Sequence, residues 1–144
     1  MKTFKDLSYT DQAQLLKFPA YISLLASTSE NGINKKEKKA VVKLTHIRTF
    51  TSDPLLSDFY REAENSFENI ITELNESLPH EKNTRREAIM KELSKMDLIL
   101  GKLGDHYAHV FRQSMNAYKQ HVSRAHHNVL EFFLFPMPIG DLLN

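Results

Sequence analysis

The chain has no cysteine, which excludes disulfides, thiolate zinc sites, iron–sulfur clusters and a cysteine nucleophile. Only 4 Gly and 5 Pro occur in 144 residues, and aromatics account for 10%. So little turn-forming material argues for long helices rather than strands joined by tight turns. It also leaves little from which to build a phosphate-cradling loop or a Gly-x-Ser-x-Gly nucleophile elbow, and neither motif occurs. An excess of one charge is missing too, because 19 Lys and Arg stand against 18 Asp and Glu. The surface as a whole therefore lacks the positive field of a protein that coats nucleic acid or an anionic membrane, and any anion-binding role must be local. The most apolar stretch, residues 15–26, is broken by Lys17 and Ser23 and is too short to cross a bilayer. Residues 1–11 carry Lys2 and Lys5 but no apolar core of a secretory signal, so a cytoplasmic chain without a transmembrane segment is expected.

What is present suits one all-α domain over residues 1–144, since 41% hydrophobic residues at this length can build a real core. Five helical segments are predicted. The first runs from residue 8 or 10 to about 29 with a kink at Pro19, and between Leu15 and Ala26 its apolar residues point almost everywhere. Such a helix is enclosed by others, so the expected architecture is a compact bundle of about five helices around a buried first helix. Asn34 with Glu37 three residues later resembles a capping box and starts the second helix, which reaches about Phe50. Its two apolar lines, Ala40-Leu44-Ile47 and Val42-His46-Phe50, imply two neighbours.

Asp53 as cap and Pro54 at the first helical position open the third helix, which runs to about Ser77 before Pro79. Thr84 and Glu87 form a second capping-box pattern. From there an apolar stripe continues through Ile89, Leu93, Met96, Leu100, Leu103, Tyr107, Phe111, Met115, Tyr118 and Val122 to Phe132. As one helix this stretch would be about 75 Å long, too long for a compact domain, so two helices joined near Gly101 and Gly104 are expected. Gly101, Gly104 and Ala108 could alternatively admit a close helix neighbour. The tail carries Phe132, Phe133 and Phe135 before Pro136 and Pro138, and either folds onto the core or offers a contact for self-association or a protein partner.

Charge is segregated along the chain. Residues 34–48 hold five Lys and one Arg against Glu37, whereas residues 53–81 hold eight acids against Arg61. Either these two helices lie side by side and neutralise each other, each exposed pair contributing at most about 1 kcal/mol, or the basic one awaits an anionic partner. Lys35, Lys36, Lys38 and Lys39 would suit the second account, because cations are disfavoured near a helix N-terminus. No aromatics interleave with them as on a base-stacking surface, so nucleic acid is not the expected partner.

Seven histidines prompt a search for a helical metal site, but neither Glu-x-x-His nor His-x-x-x-His occurs. His106 and His109, three apart, could contribute to a mononuclear divalent site if His46 or an acid such as Glu64 or Glu68 joined them. A structural, buried imidazole is the competing role for His46. No catalytic constellation emerges, and a non-catalytic binding or scaffold module is expected.

The run Ala26-Ser27-Thr28-Ser29-Glu30-Asn31-Gly32-Ile33-Asn34-Lys35-Lys36-Glu37, preceded by the apolar helix and followed by a second one, resembles the TerB-like (tellurite-resistance protein B) superfamily. The resemblance covers about a quarter of the chain. It implies helical hairpins around a buried first helix, a role in stress-response or membrane-associated complexes, and divalent-cation binding by carboxylates near this turn. Asn31 takes the family's Asp position, Gly32 its Gly and Glu37 its downstream Glu. Asn31 offers a neutral carbonyl in place of a carboxylate, Ile33 follows the glycine immediately, and four lysines surround the site. A hard cation seeks several oxygens and negative charge, so cation binding here is expected to be weak or lost. The competing role is a structural turn with Gly32 at positive φ.

Overall fold

The computed structural model describes residues 2–26, 34–51 and 53–125, with side chains for these except 44–51 and 123–125. Six α-helices and two short 3-10 turns make up the described chain, with no strand among the described residues. They are α1 (Tyr9–Leu16), α2 (Phe18–Ala26), α3 (Lys35–Thr51), α4 (Ser57–Ser77), α5 (Lys82–Gly101) and α6 (Asp105–Ala125), with 3-10 turns at Phe4–Asp6 and Pro54–Leu56. Among the described residues no helix is long and apolar enough to cross a membrane.

The expected first helix is two. The break falls at Lys17, not at the predicted kink residue Pro19, because the proline ring can neither donate to nor fit beside the carbonyl four residues back. The chain turns early enough to leave Pro19 in the first turn of α2, where an amide would have no helical partner anyway. The Lys17 amide donates instead to the Gln14 carbonyl at 3.1 Å. All nine residues of α2 are buried, which makes it the central element the apolar pattern called for. Helices α1, α4, α5 and α6 pack around it, and α3 lies against α4 and α6.

Two helix starts follow from capping chemistry. The Glu37 amide donates to Asn34 Oδ1 at 2.8 Å while the Asn34 amide donates to Glu37 Oε1 at 3.2 Å, the reciprocal box read from the spacing. At α5 the expected Thr84 cap is displaced, since the helix starts at Lys82 and its cap is Glu81. The Glu81 carboxylate accepts from the amides of Asn83 (3.1 Å) and Thr84 (2.7 Å) and from the Thr84 hydroxyl (2.7 Å). These bonds, the Thr84 amide foremost, hold its carboxyl below the ordinary range. An acid upstream satisfies the orphan amides first, so the helix gains most of a turn.

The α5–α6 stripe is buried at every position that the periodicity picks out from Ile89 to Val122. At its heart Phe111 meets Phe59 at 4.9 Å, Phe18 at 5.4 Å and Tyr107 at 6.4 Å between ring centroids, tying α6 to α4 and α2. Phe4, in the N-terminal 3-10 turn, closes the cluster against Phe59 at 5.7 Å. Two hydroxyl pairs join helices inside the core, whereas the Tyr107 hydroxyl is buried without a hydrogen-bond partner among the described residues. Ser23 Oγ donates to the Pro19 carbonyl at 2.9 Å, so the Tyr118 hydroxyl, 3.0 Å away, is the donor to Ser23. Tyr60 and Ser114 pair likewise between α4 and α6. Burial, with the charge of Glu92 nearby, pushes the Tyr21 hydroxyl up to about 12, so it packs as a neutral group.

The α5–α6 junction is a bend and not a close helix approach. A Cβ on Gly101 or Gly104 would meet nothing within 4 Å, but Gly104 has φ +91°. Gly104→Ala is therefore expected to destabilise by about 1–2 kcal/mol through backbone strain alone, whereas Gly101→Ala should be neutral or slightly stabilising. Thermal unfolding of the two variants should move in these different directions, and equal shifts would contradict a conformational role for Gly104.

Candidate functional site

Lys35, Lys38, Lys39, Val42 and Lys43 recur at helical spacing and share one stripe of α3. The stripe borders an open depression of about 500 Å³ whose opposite wall includes Glu68 of α4. Half-buried Val42 gives the depression an aliphatic base, while Lys35, Lys39 and Lys43 are exposed at its rim. Lys36 is exposed on the same first turn.

The basic and acidic helices do lie side by side, as one of the two accounts of the charge pattern required. At the depression, among the described residues, Lys38 and Glu68 meet loosely. Lys38 Nζ stands 3.9 Å from Glu68 Oε1, with the Glu68 side chain 69% exposed. Another α4 acid, Glu62, is turned to the N-terminal segment, where Lys5 holds it at 3.0 Å. Arg61 pairs with Asp58 on its own helix at 3.7 Å. Packing sets this arrangement, because α4 rotates its buried line of Phe59, Ala63, Phe67 and Ile71 toward the core and its acids follow. The lysine rim thus stays open to solvent, and at Lys35 and Lys38, in the first turn of α3, the helix dipole adds to its positive potential.

The other sequence-selected residues are distributed as follows. Glu37 is nearly buried and engaged in the α3 cap. His106 is exposed near the start of α6 and His109 is half-buried one turn on. Among the described residues no three His, Asp or Glu side chains come together as a metal site. The side chain of His46, together with Asn31, Phe132, Phe133 and Phe135, lies outside the described residues. Lys43, Val42 and Glu68 are the lining residues that the sequence reading did not assign to a binding surface. The i, i+3, i+4, i+7, i+8 series from Lys35 was the available signal, obscured because Val42 was grouped with residues one turn further on.

A second, water-sized depression of about 30 Å³ lies between Leu24, Leu25, Lys82, Arg85, Arg86 and Ile89. Buried Arg85 directs its guanidinium to the His80 carbonyl at 3.4 Å and closes this end of α2. Comparison with family models, with curated proteins and with solved structures gives no match.

Proposed function

We propose that the chain is a non-catalytic, TerB-like helical module of a stress-response assembly, and that it holds an anionic protein partner against the lysine face of α3. The observation that carries this reading is the open depression rimmed by Lys35, Lys38, Lys39 and Lys43, which the neighbouring acidic helix answers with Glu68 at 3.9 Å. Four cations close together on an aliphatic base repel one another, and a facing anion relieves that repulsion. The buried α2 supports the enclosed first helix that the resemblance implies, and the reciprocal Asn34–Glu37 box opens the helix that follows it, which packs on α4 and α6.

The experiment is fluorescence anisotropy with a labelled oligoglutamate peptide. Raising salt from about 0.1 M to about 1 M shortens the Debye length from about 10 Å to about 3 Å, so the affinity should fall by an order of magnitude or more. Binding that ignores salt, or no binding at low salt, contradicts the proposal.

A further inference from the structure

Resting on the anionic-partner reading, we infer that the α3–α4 depression recognises an acidic segment that carries an apolar side chain, the apolar group seating on Val42 and the carboxylates meeting the lysine rim. Charge alone would need no hollow. A flat row of ammonium groups attracts any polyanion, whereas this rim surrounds a concavity of about 500 Å³ based on a half-buried valine. The lysine side chains contribute to the same base, since the long methylene stems lie along apolar surface while their ammonium groups stay in water. A segment made only of acids would leave that aliphatic base wet, and an acid-free apolar segment would leave the ammonium groups unanswered.

Glu68 makes the inference sharper. Its carboxylate, at 3.9 Å from Lys38 and largely exposed, occupies the place an incoming carboxylate would take. It is a resident competitor, and removing its charge should tighten binding of an acidic ligand.

The test compares two labelled peptides on the full chain, one of glutamates and aspartates around a single leucine, the other with serine in place of that leucine. The leucine peptide is expected to bind about fivefold or more tightly, as partial burial of a leucine side chain would give. Val42→Ala should erase most of that difference without changing the affinity of the serine peptide, and Glu68→Gln should tighten both peptides severalfold. Equal affinities of the two peptides would overturn the amphipathic specificity while leaving the charge reading intact. If neither peptide binds, the charge reading fails with it. A single-stranded oligonucleotide or a phosphatidylglycerol vesicle that binds more tightly than the leucine peptide also overturns the inference. Glu68→Gln changes an exposed group and Val42→Ala trims a half-buried one, and circular dichroism should show the helix content of both unaltered.

Discussion

Phe111→Ala is expected to lower the stability of the fold by about 3–5 kcal/mol, the range for removing a large aromatic from a packed core. The ring is fully buried and is the meeting point of α2, α4 and α6, with Phe18, Phe59 and Tyr107 around it. Truncation removes edge-to-face contacts on two sides and leaves a cavity between three helices that cannot all move inward together. A whole domain is stabilised by only about 5–15 kcal/mol, so the loss is a large share of the total. Urea unfolding should show the midpoint falling by about 1–3 M at unchanged slope. Phe111→Leu, which keeps most of the volume, should lose much less. A Phe111→Ala loss below about 1 kcal/mol would mean that the three helices are not joined at this ring.

The second large effect concerns binding. Reversing Lys35, Lys39 and Lys43 together to Glu is expected to weaken an acidic peptide by about 2–4 kcal/mol, thirtyfold or more, since each reversal replaces an attraction with a repulsion. Lys38 is left in place so that its contact with Glu68 survives. Stability should behave differently. An acid at residue 35 suits the positive end of the α3 dipole, worth several tenths of a kcal/mol, so the thermal midpoint should hold or rise. Were the lysines present only to bind α4 to α3, the same variant would lose stability. Anisotropy and thermal unfolding on one sample therefore separate the two roles. Unchanged peptide affinity after the triple reversal removes α3 as the contact surface.

Much of the fold was legible residue by residue. Asn34 with Glu37 and the glycines between α5 and α6 act within one helical turn, and each produced the boundary its chemistry predicts, whereas Asp53 before Pro54 caps the 3-10 turn Pro54–Leu56 and the expected third helix begins only at Ser57. The stripe from Ile89 to Val122 was legible for the same reason, because a helix turns periodicity into a face without reference to its neighbours. The corrections arose where two local signals competed. Pro19 displaced the break to Lys17, and Glu81 reached the amides of α5 before Thr84 could lead it. Each signal taken singly names one boundary, whereas the chain settles on the arrangement that satisfies the most orphan amides.

The site was only half legible. The lysines and the acids could be counted, and their placement on consecutive helices was plain. Sequence alone determined an all-α chain with a basic α3 and an acidic α4, since composition, spacing and capping are local properties. Which acids would answer which lysines was decided by tertiary packing. Helix α4 orients by burying Phe59, Ala63, Phe67 and Ile71, a driving force far larger than an exposed ion pair, and the acids point wherever that leaves them. Glu62 is thereby directed to Lys5, Glu68 stands at the edge of Lys38, and an aliphatic hollow remains between the helices beneath an open lysine rim.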